Sequence, residues 1–359
     1  DYFVSLAESY ENKYGVKFVG IRDGVVSSEK ERLIQYMTNV NIAMSVLGKN
    51  GLGDWLADRL VEIGDTVRDD MPLRINRSMN PFKDDRIKVI NLPREPISVE
   101  VKDPRSGQSA EIDIKLFEEP GNVKGTRRAI SEIFKWINYV TENRLVILAA
   151  DLFDSINVEH GSLWGHFDPV KNPSGARLKA AIQEAGNAST AIGFAGQSVS
   201  LDGKEHVGVW SLSGSYGAFT PLMYLPARVW SQQNQDSPFS LGVLNILAGH
   251  SGPETAADAR THFGIFAPQV WKLFPRGQVI TLSFWDYNDV APGYFAAAEI
   301  AAHDPKVGVI VLEVARPDLP VVDRSNFADS DLLAAAKGMY LIRDYDPSKP
   351  KHGTIITQG

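Results

Sequence analysis

The second half of the chain alternates continuous apolar runs with stretches whose apolar residues recur at helical spacing. Runs such as LVILAADL and VGVIVLEV are typical of strands covered on both faces. The stretch TRRAISEIFKWINYVTE places its apolar side chains on one helix face. The predicted strands are 145–152, 207–213, 242–249, 278–284 and 307–314, and the predicted helices are 126–142, 176–196, 217–232 and 287–303. This alternation predicts an α/β fold, with a mostly parallel sheet and helices on both faces.

The first 120 residues carry a weaker pattern. Residues 29–47 and 51–67 predict two helices, and the segment 72–125 is rich in Pro, Arg and Lys. Within that segment, the runs RIKVINL (86–92) and ISVEVKD (97–103) predict strands in an extended connector. The predicted organisation is a helical and extended tail of a preceding domain at 1–120, an α/β domain at 121–325, and a linker with the first strand of another domain at 326–359. Because its two ends are predicted to belong to neighbouring domains, the chain is expected to be part of a longer polypeptide.

Composition removes some classes of protein. The chain has 359 residues, of which 43% are hydrophobic and 23% charged, as in ordinary globular proteins. Its net charge of −7 argues against nucleic acid or anionic membrane as the main partner. The absence of cysteine excludes disulfides and thiolate metal sites, and it fits a cytoplasmic location. No apolar run approaches the roughly 18 residues of a membrane span.

Polar side chains follow the ends of the predicted strands. In parallel sheets, ligands bind beyond the carboxyl ends of the strands, so these residues are expected to converge on one rim. Two histidines, several acids, a serine and an arginine would suit a polyhydroxylated, anionic ligand. The strand-end residues are Asp151, Ser155, His250, Asp258, His262, Asp286, Asn288 and Arg316.

The stretch LAGHSGPETAADARTHFGIF (248–267) holds His250, Asp258 and His262. Three such residues could bind a metal ion, although a structural zinc needs about four ligands and cysteine is missing. Loop histidines without chemistry, a proton relay and a sugar-binding loop remain open on spacing alone.

Other candidates also have two interpretations. Arg127 and Arg128 lie at the start of a predicted helix. They either bind an anion there, which the helix N-terminus favours, or form a solvated surface pair. Glu184 is predicted mid-helix among small residues, either partly buried with a raised pKa or exposed. Tyr216 and Phe219 lie three residues apart and could hold a flat ring or pack in the core.

Several short segments, in order, resemble the pyrimidine-binding domain of transketolase, a thiamine-diphosphate enzyme. AADLFDSIN resembles SADLxxSN, AIQEAGNASTAIGF resembles GIREHAMGAIMNGI, and SGSYGAF resembles GGTFxxF. GHSGPETAADARTH resembles HDSxxxGEDGPTH with the same distance between its two histidines. FWDYNDV, VARPDLP and KGTRR are similar to RPADGNEV, LSRQNLP and ATRK, and the carboxy-terminal segment resembles the entry to the family's last domain. The resemblance covers about residues 126–325.

The resemblance implies roles for the cofactor-facing residues. Glu184 would hydrogen-bond a pyrimidine nitrogen of thiamine diphosphate, and His262 would take part in hydroxyl binding and proton transfer, which makes these two the catalytic candidates. Tyr216 and Phe219 would pack on the pyrimidine, and Asp151 would lie near the cofactor at a subunit interface.

The resemblance also implies a substrate site. Asp258 would bind a substrate hydroxyl, and the other members of the set would bind a sugar phosphate. The predicted substrate-binding residues are Arg127, Ser155, His250, Asp258 and Arg316.

The sequence departs from the family at several places. Gln183 and Ala185 replace an arginine and a histidine around the glutamate, AADAR replaces GEDGP, and the third aromatic falls near Leu222. A GDG motif with its asparagine is not found, so no metal ligand is expected in this chain. The diphosphate and Mg²⁺ would be held by a diphosphate-binding domain from upstream sequence or another polypeptide. Sites of this kind lie between subunits, so a homodimer is expected.

The expected function is transketolase-type transfer of a two-carbon ketol unit from a ketose phosphate to an aldose (EC 2.2.1.-), and transfer to formaldehyde, as in dihydroxyacetone synthase, is not separated from it. IQEAGNAS is also similar to the INEAGA of the pyruvate dehydrogenase E1 type, a 2-oxo acid decarboxylase. Such an enzyme would not need the phosphate-binding residues. A non-catalytic regulatory partner is a third hypothesis, favoured by Gln183 and Ala185.

Overall fold

The computed structural model describes residues 2–21, 28–49, 51–66, 74–75, 84–103, 107–196, 199–200, 209–236, 242–264, 267–349 and 355–356. The chain divides into two compact units, Asp1–Pro72 and Leu73–Gly359. The α-helices are α1 Tyr2–Tyr14, α2 Glu29–Lys49, α3 Leu52–Thr66, α4 Arg127–Thr141, α5 Glu184–Ala195, α6 Tyr224–Asp236 and α7 Tyr287–His303. The strands are β1 Arg74–Ile75, β2 Ile97–Lys102, β3 Ser109–Ile114, β4 Val123–Lys124, β5 Leu145–Leu148, β6 Val199–Ser200, β7 Trp210–Tyr216, β8 Leu244–Gly249, β9 Val279–Ser283, β10 Val309–Val314 and β11 Leu319–Pro320.

The described residues of the first unit include three helices, α1, α2 and α3. Helices α2 and α3 confirm the two helices predicted from the periodicity of residues 29–47 and 51–67. Asn39 fixes the segment before α2, because its side chain accepts from the Val19 N–H and donates to the Val19 carbonyl, both at 2.9 Å. Large apolar side chains of α2 and α3, such as Leu33 and Trp55, are exposed.

The second unit is built on a five-stranded parallel sheet in the order β5-β7-β8-β10-β9. Each strand lies within a predicted strand or overlaps it, and β5 is shorter than its predicted range. Alternate residues of the strands face opposite sides. One core contains Ile147, Leu212 and Leu312 with the apolar faces of α4 and α7, and the other contains Leu148 and Ile246 with α5 and α6. The predicted fold class, a parallel sheet with helices on both faces, is confirmed.

The amino-terminal part of the second unit differs from the prediction in one element. Residues 86–92 were predicted as a strand, but they form two short 3-10 turns, Asp85–Ile87 and Val89–Asn91. The first turn is stabilised because the Asp84 carboxylate accepts from the Arg86 N–H at 2.8 Å, which competes with extended pairing. The predicted strand at 97–103 is confirmed as β2, which pairs antiparallel with β3.

The predicted helix at 176–196 is wrong over residues 176–183. Residues 176–178 are extended beside the edge strand β5: the Ile147 N–H donates to the Ala176 carbonyl at 2.8 Å, and the Leu178 N–H donates to the Ile147 carbonyl at 2.9 Å. These backbone bonds satisfy groups that a longer helix would have left to solvent at the sheet edge. Glu184 is therefore the first residue of α5 rather than a mid-helix residue.

The helix predicted at 217–232 is present in two parts. A 3-10 segment, Gly217–Met223, contains Pro221 and leads into α6. The helix predicted at 287–303 coincides with α7.

The segment before α4 packs with the sheet unit. The Lys115 N–H donates to Glu132 of α4 at 2.9 Å, and the Glu118 N–H donates to Asn288 of α7 at 2.8 Å. The domain boundary predicted at residue 120 stays a prediction, and most of the predicted strand at the carboxy terminus lies outside the described residues. None of the described helices is long and apolar enough to cross a membrane.

Candidate functional site

A polar cleft of about 440 Å³ opens at the carboxyl ends of β5, β7, β8 and β10. It forms because the segment after β5, the last residue of β7, the residue after β8 and the loop after β10 reach the same edge of the sheet. Four of the five predicted substrate residues and one predicted cofactor residue meet here. The cleft is lined by Arg127, Arg128, Asp154, Ser155, Asn157, Tyr216, His250 and Arg316.

The inner wall of the cleft is a contact between Arg127, His250 and Ser155. Arg127 is the first residue of α4, and its Nη1 donates to the Ser155 carbonyl. The His250 Nε2 lies 2.7 Å from Arg127 Nη1 and 2.8 Å from the Ser155 carbonyl oxygen. His250 directly follows β8 with a φ of 58°, which turns the chain sharply at the strand end. Ser155 thus contributes its backbone carbonyl to this wall.

Burial keeps His250 neutral at physiological pH. First burial and then the neighbouring Arg127 guanidinium lower the pKa of His250 to about 4. Burial also lowers the pKa of Arg127, and the neighbouring positive charges of Arg128 and Arg316 lower it further. Within the described residues, the buried Arg127 Nε and His250 Nδ1 have no hydrogen-bond partner. An unpaired buried donor is costly, so this wall is suited to an incoming acceptor.

Arg316, which lines the cleft, forms an ion pair with Asp258. Arg316 Nη1 lies 2.8 Å from Asp258 Oδ2, and Nη2 lies 3.3 Å from Oδ1, which is a bidentate arrangement. Glu254 adds to this contact, since its carboxylate accepts from the Arg316 backbone N–H at 3.2 Å. The pair lowers the pKa of Asp258 and raises that of Arg316.

Four rings form a continuous aromatic group beside the cleft. The Tyr216 ring lies 4.3 Å from the His250 ring and 5.5 Å from the His262 ring, between centroids. Phe219 meets His262 edge-on at 5.2 Å. The two aromatics predicted to hold a flat ring therefore share His262 as a neighbour. Leu222, which stands near the position of the family's third aromatic, is exposed.

Glu184, the first residue of α5, lies next to the end of β7. Its side chain is buried, and Oε1 accepts a hydrogen bond from the Ser215 hydroxyl at 2.9 Å. Ser215 precedes Tyr216 on β7, and successive side chains of a strand point to opposite faces of the sheet, so this hydrogen bond places the carboxylate on the α5 side of β7. Gln183 and Ala185, its neighbours in sequence, are both exposed.

Some strand-end residues do not line the cleft. Asp286 begins α7 as its N-cap and accepts from the Val322 N–H at 2.9 Å, while Asn288 bonds the backbone of Glu118. The expectation that every strand-end residue would converge on one rim is wrong for these two, because Asp286 binds the segment after β11 and Asn288 binds the segment before β4. Asp151 is exposed in a turn, with a φ of 61°, and is not among the lining residues.

The structure also shows residues that the sequence did not single out. Asp154 and Asn157 line the cleft, and their only signal was their position in the segment DLFDSIN. Arg324 is buried, with its Nη2 at 2.6 Å from Asp286 and 2.8 Å from Asp289. Nothing in the local pattern indicated that it would be buried.

The described residues contain no group of three or more His, Asp or Glu side chains that could hold a metal ion.

Comparison with known proteins gives similarities to solved structures alone. No family model and no curated protein matches the chain. It is similar to the transketolase of Campylobacter jejuni subsp. jejuni, at 17% identity and a TM-score of 0.45, over 60% of this chain and 29% of that one. It is also similar to the transketolase of Leishmania mexicana, at 12% identity and a TM-score of 0.47, over 88% of this chain and 38% of that one. The chain thus spans well under half the length of either transketolase.

Proposed function

We propose that this chain supplies the pyrimidine-binding part of a transketolase-like enzyme, which transfers a two-carbon ketol unit from a ketose phosphate to an aldose. The observation that carries the proposal is one cleft that gathers Arg127, His250 and Arg316 at the carboxyl ends of parallel strands. A buried carboxylate, Glu184, is hydrogen-bonded near the end of β7, which is one of these strands. These groups are far apart in the sequence and meet only through the sheet.

The cleft fits a phosphorylated sugar. Arg127 is the first residue of α4, where the helix dipole favours an anion, and it lines the cleft. Arg316 faces the same cleft, and a guanidinium matches phosphate with two parallel hydrogen bonds. His250, whose pKa is lowered to about 4, would be neutral and would donate to or accept from the ligand without adding charge. Asp258 and His262 would then bind hydroxyl groups further along the sugar.

The residues near Glu184 fit the ring half of thiamine diphosphate. The Ser215 hydroxyl holds Oε1, and no other hydrogen bond to this carboxylate is formed within the described part of the chain, so Oε2 is available for a ring nitrogen. Tyr216 and Phe219, whose rings both contact His262, would pack on the cofactor ring. The cofactor, when bound, would supply the carbon nucleophile for ketol transfer. Glu184 would hold a proton between its carboxylate and the ring nitrogen, in a site shielded from water.

The diphosphate half would come from elsewhere. The described residues offer no acidic cluster for Mg²⁺. We propose that a diphosphate-binding domain, from upstream sequence or from another polypeptide, completes the site in a homodimer. Asp151, exposed on its turn, would then face the partner subunit.

The test is an activity assay on the full reading frame that contains this chain, together with any separate diphosphate-binding polypeptide. With thiamine diphosphate and Mg²⁺, xylulose 5-phosphate and ribose 5-phosphate should yield glyceraldehyde 3-phosphate, followed in a coupled assay. Glu184→Gln should lower turnover by about 100-fold or more, because it removes a positioned proton-transfer group. Glu119→Gln, at an exposed position, is the matched control and should leave turnover unchanged.

Three results would contradict the proposal. Activity with pyruvate in place of the sugar phosphate would indicate a 2-oxo acid decarboxylase. Failure to bind thiamine diphosphate in calorimetry, even with the diphosphate-binding half present, would indicate a non-catalytic partner. Full activity of Glu184→Gln would remove the assignment of that residue.

A further inference from the structure

The terminal nitrogens of Arg316 contact a carboxylate. Both terminal nitrogens of Arg316 lie on the Asp258 carboxylate, at 2.8 and 3.3 Å, and Nη2 also lies 3.4 Å from the Glu254 carbonyl. Asp258 belongs to the loop after β8, whereas Arg316 follows β10. The loop therefore places an acidic group on a cationic side chain that lines the cleft.

Arg127, which lines the same cleft, has different hydrogen-bond partners. Its terminal nitrogen contacts the Ser155 carbonyl and the His250 ring, neither of which carries a negative charge in the folded protein. The two arginines of one cleft thus differ: Arg127 has neutral partners and Arg316 has a carboxylate partner. A carboxylate and a phosphate oxygen pair use the same fork of a guanidinium, so they cannot occupy one edge together.

The Arg316–Asp258 pair is weak enough to be exchanged. The two side chains are 31% and 38% exposed, and ion pairs at such positions are screened by water and contribute little. A phosphate dianion carries more charge than Asp258 and can contact Arg127 at the same time. An uncharged sugar has neither property.

We propose that Asp258 is an intramolecular competitor for the anion-binding edge of Arg316, displaced by the phosphate group of the ligand. The inference rests on the proposed function, because it requires that this cleft bind phosphate. Displacement would free the Asp258 carboxylate, the group predicted to bind a substrate hydroxyl. Phosphate binding and hydroxyl binding would then be coupled through the Asp258 side chain. A ligand without a phosphate would lack the contact with Arg316, and it would also leave Asp258 paired and unable to bind its hydroxyl group.

The experiment titrates inorganic phosphate into the full chain and into Asp258→Asn, with affinity measured by calorimetry and by ³¹P NMR. Removal of the competitor should lower the phosphate Kd by roughly three- to tenfold, from loss of a partly exposed pair and of a nearby like charge. Asp154→Asn is the matched control. Asp154 lines the same cleft, is exposed and forms no ion pair with Arg316, so its replacement should lower the Kd by at most about twofold.

A third variant, Arg316→Gln, distinguishes failure of the competitor role of Asp258 from failure of phosphate binding by the cleft. If Arg316→Gln weakens phosphate binding but Asp258→Asn gives no more gain than Asp154→Asn, the competitor role is wrong while the phosphate cleft stands. If phosphate binds none of the proteins at tens of millimolar, the phosphate cleft and the competitor role both fail. Tighter binding confined to Asp258→Asn, with its thermal unfolding unchanged, supports the inference.

Discussion

His250 should make the stability of the protein fall between neutral and mildly acidic pH. Its imidazole is buried against Tyr216 and Arg127, and its pKa drops from 6.5 in the unfolded chain to about 4 in the folded protein. At neutral pH both states hold the neutral ring, so the folded state has no penalty. Between the two pKa values the unfolded state binds a proton that the folded state rejects, and the free energy of unfolding decreases as pH falls.

The size of the effect follows from the two pKa values. Each pKa unit corresponds to about 1.4 kcal/mol, so the full effect is at most about 3 kcal/mol. Lowering the pH from about 7.5 to about 5 covers most of the window and should remove about 2 kcal/mol of stability through His250 alone. His250→Gln keeps a similar polar side chain but has no charge to gain.

The assay is urea unfolding of the wild-type protein and His250→Gln at both pH values. Because other groups titrate equally in both proteins, the difference between their pH-induced losses isolates His250. The wild type should lose about 2 kcal/mol more than the variant. His160→Gln, at an exposed position, is the control and should behave like the wild type. Equal losses in the wild type and His250→Gln, or an NMR titration of His250 near 6.5, would refute the reasoning. Bound phosphate should raise this pKa, because an anion favours the protonated ring.

Three further substitutions test the packing, each by urea unfolding. Arg324→Met should cost about 3 kcal/mol or more, because it leaves two buried carboxylates without their cation, whereas Arg128→Met, at an exposed pair, should cost under about 1 kcal/mol. Similar losses in the two would contradict this. Ile137→Ala should cost about 3 kcal/mol and Ile90→Ala, at a 74% exposed site, under about 0.5 kcal/mol. Gly175→Ala should cost about 1–3 kcal/mol, since its Cβ would lie 2.3 Å from a backbone oxygen, and an unchanged midpoint would show that this loop relaxes freely.

Much of the sheet unit could be predicted from local patterns. The apolar runs at 242–249 and 307–314 are strands, and the 126–142 periodicity is a helix, because burial on one or both faces leaves a regular trace in sequence. The order of the strands left no such trace. It is not sequential, since β10 lies between β8 and β9.

Local patterns failed where long-range contacts decided the conformation. Ala176 and Leu178 have helix-compatible side chains, but their backbone groups bond Ile147 of the edge strand. That pairing moved Glu184 from mid-helix to the start of α5. Likewise, the apolar side chains of Ile87 and Val89 predict a strand, yet the Asp84 side chain stabilises a turn there.

The sequence by itself determined the five strands of the parallel sheet, the helices α4 and α7, and which polar residues follow the strands, because these features depend on short-range spacing. Only the tertiary structure decided which of those residues share a cleft: Arg127, Ser155, His250 and Arg316 meet there, while Asp286 and Asn288 brace loops elsewhere. It also decided the neutral state of His250 and the pairing of Arg316 with Asp258. Burial and charge neighbours depend on how distant segments pack, and no local spacing encodes them.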